Sequence, residues 1–142
     1  DHIKDGHRKV ASECDQGLAA LIMDLKQRGL LDETLILCTG EFGRTPSVEM
    51  SQDGGGSVAG RDHNHWGYSL WLAGGGIKGG ISYGYTVDLG YNDQDTIIEV
   101  HDFHSILPHL LGVAPKTLTD KFQGRDFRLT DVHGNVVKDL LA

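Results

Sequence analysis

The first regular feature of the sequence is a stripe of apolar side chains at spacings of three and four residues. Such spacing places the side chains on one face of an α-helix. We therefore predict a helix over residues 8–28, and Gly29 suits the position just past its end because glycine tolerates a left-handed backbone. The stripe consists of Val10, Cys14, Leu18, Ile22 and Leu25.

Two short runs that are apolar on both faces follow this helix, at residues 34–38 and 67–73. Continuous apolar runs are typical of central strands in a covered, largely parallel sheet. A helix, a short link and a buried strand also make up half of a βαβ unit. The pattern predicts an α/β fold with a mostly parallel sheet, and residues 81–87 and 96–100 are weaker strand candidates.

The rest of the chain contains many turns. Residues 47–60 are polar and rich in glycine, which predicts a long loop. No linker or internal repeat interrupts the sequence, so we predict one domain over residues 1–142. The remaining predicted elements are a helix through Leu111 with Asp102 as its N-cap, a short β ribbon within residues 122–133 and a helical turn within residues 136–141.

Composition and charge exclude some classes of partner. The formal net charge is −7, which argues against nucleic acid or an anionic membrane surface, because both require a basic face. No apolar run reaches the roughly 18 residues of a membrane span. The two cysteines, Cys14 and Cys38, are too few for a small disulfide scaffold.

The segment after the first predicted strand carries two charged residues that point to chemistry. Glu41 lies just beyond the strand, and ligands of open α/β sheets bind at the carboxyl ends of strands. Arg44 follows three residues later and can hold an anion in a bidentate fork. The alternative is an ion pair between Glu41 and Arg44 that only braces the loop.

A second cluster lies at residues 60–66. His63 and His65 are two positions apart, so on extended backbone both imidazoles project to the same side. That arrangement suits zinc or a similar divalent ion, and Asp62 can bind the metal or orient a histidine. The alternative is an inert histidine pair on a surface loop. The chain has no Gly-x-Ser-x-Gly elbow that would mark a nucleophile.

Six ordered blocks, which cover essentially the whole chain, resemble the bacterial family labelled domain of unknown function fifteen-oh-one. That family is similar to sulfatases within the alkaline phosphatase-like superfamily. The resemblance implies a three-layer α/β/α fold with a metal-assisted hydrolase site at the carboxyl ends of the strands. The blocks are DLKQRGLL at 24–31, GEFGRTP at 40–46, GRDH at 60–63, LAGGGIKGG at 72–80, HDFH at 101–104 and FQGRDF at 122–127.

The resemblance also assigns roles to particular residues. Glu41 stands where related enzymes have a metal-binding aspartate, and His63 matches a later histidine ligand. Phe42 stands where many relatives have another histidine ligand, so one metal position departs from the family pattern. His65 is not part of the family motif, and its role as an acid–base group rests on spacing alone.

The function expected from these residues is metal-dependent hydrolysis of a small anionic sulfate or phosphate ester. Glu41 and His63 would bind a divalent ion, zinc or calcium, while Arg44 would hold the anion. Relatives extend further on the N-terminal side, so the chain is expected to be a C-terminal portion, inactive alone, whose partner is the missing N-terminal part. The alternative is a non-catalytic binding protein that retained the fold. The resemblance is compatible with export or a periplasmic location, which the residues themselves leave open.

Overall fold

A computed structural model describes residues 3–50, 59–130 and 132–142 of the chain. Within these described residues two α-helices and eight short strands follow one another, with 3₁₀ turns at Leu31–Glu33 and Lys138–Leu140. The helices and strands are α1 (Ile3–Gln27), β1 (Ile36–Cys38), β2 (Gly43–Met50), β3 (Ala59–Asn64), β4 (Trp71–Ala73), β5 (Tyr85–Thr86), β6 (Asp93–Asp95), α2 (Val100–Leu110), β7 (Thr119–Phe122) and β8 (Arg125–Arg128).

Helix α1 confirms the prediction from the apolar stripe, although it begins five residues earlier. Its end is set by Gly29, whose φ of 68° is left-handed. The Gly29 N–H donates to the Lys26 carbonyl at 3.1 Å, and the Leu30 N–H donates to the Leu25 carbonyl at 2.8 Å. This pair of bonds is a Schellman motif, which satisfies carbonyl groups left free at a helix end. No described side chain of α1 is fully buried.

The predicted three-layer α/β/α fold with a mostly parallel sheet is wrong. The described residues form four two-stranded antiparallel sheets, β1–β4, β2–β3, β5–β6 and β7–β8. In the first of them Ile36 lies opposite Ala73 and Cys38 lies opposite Trp71. An apolar run indicates burial but not strand direction. The connection from β1 to β4 contains the β2–β3 hairpin and not the helical crossover that a parallel pair requires.

The predicted loop at residues 47–60 is also partly wrong, because β2 includes residues 47–50 and β3 begins at Ala59. Residues 51–58 lie outside the described part of the chain. The prediction failed because cross-strand pairing, and not local preference, holds the polar segments as strands. The candidate strand at 96–100 is absent: Thr96 has a φ of 49°, which ends β6, and α2 begins at Val100.

The predicted C-terminal elements are confirmed, with one correction. Helix α2 begins at Val100, so Asp102 lies in its first turn and is not its N-cap. The β ribbon is the β7–β8 hairpin, whose turn residues Gln123 and Gly124 have φ values of 50° and 82°. Two left-handed residues in a two-residue turn match the twist of a hairpin. The last helical turn is the 3₁₀ segment Lys138–Leu140.

The described residues bury few large apolar side chains. Among them, the buried hydrophobic side chains are Ile36, Phe103, Ile106 and Leu140. The solvent-accessible surface is 10721 Å², whereas a folded monomer of this mass exposes about 7,200 Å². The chain therefore presents much more surface to its surroundings than a self-contained domain of its mass. None of the helices in the described ranges has the length and apolar character needed to cross a membrane.

Candidate functional site

Two of the predicted site residues lie side by side at the base of the β2–β3 hairpin. Arg44 on β2 is directly opposite His63 on β3, next to the pair formed by Gly43 and Asn64. Directly opposed residues of antiparallel strands project to the same face of a sheet. Both Arg44 and His63 are exposed. The hairpin therefore presents a guanidinium and an imidazole together to the surroundings.

The Phe42 ring supports both of these side chains. Its centroid lies 4.4 Å from that of the His63 ring, with an angle of 46° between the planes. The Arg44 Cζ atom lies 5.6 Å from the same Phe42 centroid, which is within the range of a cation–π contact. The family resemblance marked Phe42 only as a departure from a ligand position. In the structure its ring helps to hold the two polar groups in place.

Hydrogen bonds across the hairpin fix the arginine side chains. The Arg44 Nη1 donates to the Arg61 carbonyl at 3.2 Å, and the Arg61 Nε donates to the Thr45 carbonyl at 2.7 Å. The register shifts between Arg44 and Val48, where a bulge reorients the strand. The described bond of Arg44 uses one of its five N–H donors. The other N–H groups of Arg44 can still donate hydrogen bonds to two oxygens of an anion.

Asn64 ties the base of the hairpin to the connection between β5 and β6. The side chain is 3% exposed. Its Nδ2 donates to the Gly90 carbonyl at 3.2 Å and to the Tyr91 carbonyl at 3.0 Å. Its Oδ1 accepts from the Trp66 N–H at 3.0 Å. A second link joins the Ser47 hydroxyl to the Tyr91 hydroxyl at 2.6 Å. These bonds fix where β3 ends, directly beside His63.

We expect Asn64→Ala to lower the free energy of unfolding by about 2–3 kcal/mol. The substitution leaves the Trp66 N–H without its acceptor and removes the donor of two carbonyl groups, in a place from which water is largely excluded. Urea denaturation followed by circular dichroism measures the change. Asn92→Ala is the control, since Asn92 is exposed, and we expect a change below about 0.5 kcal/mol. Equal losses in the two variants would contradict this role of Asn64.

The carboxylates of Glu41 and Asp62, which neighbour these residues in the sequence, make few contacts. Glu41 is exposed, and although both residues are described, it forms no salt bridge with Arg44. The structure therefore does not contain the alternative, an ion pair between Glu41 and Arg44 that braces the loop. The Asp62 Oδ1 accepts the backbone N–H of His63 at 2.8 Å. Shared binding of one ion by Glu41 and His63 stays a prediction.

His65 lies beyond the strand that carries His63. Strand β3 ends at Asn64, so the extended backbone assumed for the two-residue spacing does not continue to His65. Its ring packs against Trp66 with a centroid distance of 4.5 Å. An acid–base role for His65 stays a prediction.

The described residues supply an incomplete set of metal ligands. Within residues 3–50, 59–130 and 132–142, no group of three histidine, cysteine, aspartate or glutamate side chains is placed to hold an ion. The carboxylate of Glu41 and the imidazole of His63 are suitable ligand types for zinc. Two ligands are fewer than the four that zinc takes.

Comparison with known families settles which family this is. A family model described as "Protein of unknown function (DUF1501)" matches residues 1–141. The chain belongs to the DUF1501 family. The family description names neither a fold nor an activity. No curated protein and no solved structure matches this DUF1501 chain.

The match confirms the family that the six sequence blocks resemble. Two residues of the candidate site were not predicted in their observed roles. Phe42 gave no signal of its own, because an aromatic residue after a strand is usually part of a core. Asn64 gave a weak signal, a polar residue between two histidines, but its partners at Gly90 and Tyr91 are distant in sequence.

Proposed function

We propose that this DUF1501 protein is a metal-dependent hydrolase of sulfate or phosphate esters, with its site at the base of the β2–β3 hairpin. The observation that carries the proposal is the direct pairing of Arg44 with His63 on the shared Phe42 ring. A cation and an imidazole presented together suit an anionic ester. The resemblance to sulfatases supports the reaction class, and the pairing of Arg44 with His63 supports the location.

Arg44 is proposed to bind the sulfate or phosphate group. A guanidinium binds two oxygens of such a group through parallel hydrogen bonds, which fixes orientation as well as charge. The contacts of Arg44 with Phe42 and with the Arg61 carbonyl reduce the freedom that the side chain would lose on binding. Most of its N–H donors stay free for the ester.

Glu41 and His63 are proposed as ligands of a divalent ion, zinc or calcium. A bound ion would polarise the ester and stabilise the negative charge that develops as the ester bond breaks. The remaining ligands would come from other residues or from water, since no group of three histidine, cysteine, aspartate or glutamate side chains among the described residues is placed to hold an ion. His65, beside Trp66 at the end of the hairpin, is proposed as a group that transfers a proton to the leaving oxygen.

The direct test is turnover by the purified full-length protein. Aryl sulfates and aryl phosphates are assayed separately with zinc, calcium, magnesium and manganese, after the protein has been freed of metal with a chelator. We expect metal-dependent release of the phenol from one of the two ester classes. Absence of turnover with every ester and metal, in protein that metal analysis shows to be loaded, would overturn the proposal.

A non-catalytic binding protein is the second candidate. It is favoured by the incomplete ligand set of the described residues and by the Phe42 ring packed on His63, because a packed imidazole has less freedom to take part in a reaction. This function predicts that sulfate or phosphate binds without turnover. Calorimetric titration of the wild-type protein and of Arg44→Ala, alongside the turnover assay, distinguishes the two functions.

A further inference from the structure

A pair of histidines that the proposed hydrolase site does not use lies at the other end of the chain. His101 is in the first turn of α2, and His133 is in the segment that follows β8. Their ring centroids are 5.5 Å apart, with an angle of 51° between the planes. Both residues are exposed. Neither was predicted to bind a metal, because a histidine at a helix start, such as His101, is expected to cap or pack, and His133 was expected in a turn.

The backbone that carries His133 is seated directly on α2. A Cβ atom at Gly134 would lie 2.9 Å from the His101 carbonyl oxygen and 2.8 Å from the Thr130 Cβ, and closer still to the Ser105 hydroxyl. Only a residue without a side chain allows such an approach. Ser105 and Thr130 are themselves buried. The position of His133 relative to the helix is therefore fixed by packed atoms.

A hydrogen bond also holds the same segment at the next residue, Asn135. The Asp102 Oδ1 accepts the backbone N–H of Asn135 at 2.7 Å, and the Asn135 Nδ2 lies 3.4 Å from the same oxygen. His101 and Asp102 are consecutive residues of α2, and His133 and Asn135 are two positions apart. Helix and segment are thus joined at Gly134 and Asn135, directly after His133, so little further ordering is needed to bring the imidazoles to one ion.

The spacing of the two rings fits shared coordination. When two imidazole nitrogens bind one tetrahedral ion at about 2.0–2.1 Å, the ring centroids are separated by about 5 Å. The observed separation is 5.5 Å. We propose that His101 and His133 form a two-imidazole site for a divalent transition-metal ion, with zinc as the best fit. Water completes the coordination.

The ligand type determines which ions the site accepts. Imidazole suits zinc, copper and nickel, whereas calcium and magnesium prefer oxygen ligands. The site is separate from the β2–β3 hairpin and does not depend on the proposed hydrolase function. It adds a link between α2 and the C-terminal segment, so bound zinc is also expected to raise the melting temperature by binding only the folded state.

Zinc titration of histidine variants tests the site. The protein carries His63→Gln throughout, which removes the other proposed zinc ligand from the measurement, and is freed of metal with a chelator. In this background, we expect His101→Gln or His133→Gln to weaken zinc binding about 100-fold, because the second imidazole no longer acts as an intramolecular ligand. The double substitution removes both imidazoles and is expected to abolish zinc binding at this site, and calcium is expected not to compete with zinc.

His109→Gln is the matched control, since His109 is exposed in the last turn of the same helix. We expect the zinc affinity of His109→Gln to stay within twofold of that of the His63→Gln background protein. Unchanged affinity in His101→Gln, or an equal loss in His109→Gln, would overturn the proposal.

A measurement on the unsubstituted protein covers the case in which a variant does not fold. Paramagnetic copper at a low molar ratio should broaden the ring NMR signals of His101 and His133 before those of His109. Simultaneous broadening of all three would count against a specific site.

Discussion

Replacement of Arg44 by alanine is expected to lower kcat/KM of the proposed ester hydrolysis by about 100- to 1,000-fold. The guanidinium would neutralise the anionic group in the bound substrate and in the transition state, so KM should rise and kcat should fall. Arg44→Lys keeps the charge but loses the bidentate fork, and we expect a smaller loss of about tenfold. Steady-state kinetics with the preferred aryl ester gives both parameters.

Arg125 offers a matched control on a different hairpin. Its Cζ atom lies 4.8 Å from the Phe127 ring centroid, much as Arg44 lies over Phe42, but nothing places Arg125 near the proposed site. Arg125→Ala removes the same kind of contact and should change kcat/KM by less than twofold. Similar losses in the two variants would show that the effect reports stability and not anion binding.

Gly134→Ala is expected to destabilise the protein by about 3 kcal/mol. The backbone at Gly134 has a φ of 92°, which an alanine adopts only with strain. The new Cβ would also meet the His101 carbonyl, the Ser105 hydroxyl and the Thr130 side chain, and a helix carbonyl cannot move away without breaking α2. Urea denaturation gives the change in the free energy of unfolding.

Gly112→Ala separates strain from crowding. Gly112 also has a left-handed backbone, with a φ of 75°, but a Cβ there meets nothing within 4 Å. Only the strain remains, and we expect a loss of about 1–2 kcal/mol. If Gly134→Ala costs no more than Gly112→Ala, the close approach of the His133 segment to α2 is not as the structure describes it, and the proposed histidine site loses its rigid support.

Local patterns in the sequence predicted several elements correctly. The apolar stripe from Val10 to Leu25 gave α1, and Gly29 marked its end. A short β ribbon was expected within residues 122–133, and the β7–β8 hairpin is that ribbon, although it begins at Thr119. Gln123 and Gly124 take the left-handed conformations that its turn requires. These features depend on interactions between residues close in sequence, so a single sequence contains the information.

The sheet could not be predicted in the same way. The run at residues 34–38 was correctly expected to be a strand, and Ile36 is buried, but its partner β4 is antiparallel. Burial on both faces is compatible with either direction. The direction of β4 relative to β1 depends on the path of the chain between them. That segment contains the polar β2–β3 hairpin, and the local sequence does not indicate which of its residues pair.

The candidate site was likewise predicted from the sequence only in part. The sequence marked Arg44 and His63 because their residue types suit anions and metals, and the six blocks identified the DUF1501 family. Their placement opposite each other on Phe42 depends on the register of β2 and β3, which a shift of one residue would change.

The sequence by itself determined the family, the residue types available for chemistry and the elements held by local contacts. Tertiary structure alone decided which of those residues meet. Arg44 and His63 are brought together by strand register, and His101 and His133 are brought together by a glycine packed on a helix. The physical reason is that contacts between distant residues form only when the backbone between them closes a loop, and no local preference specifies that closure.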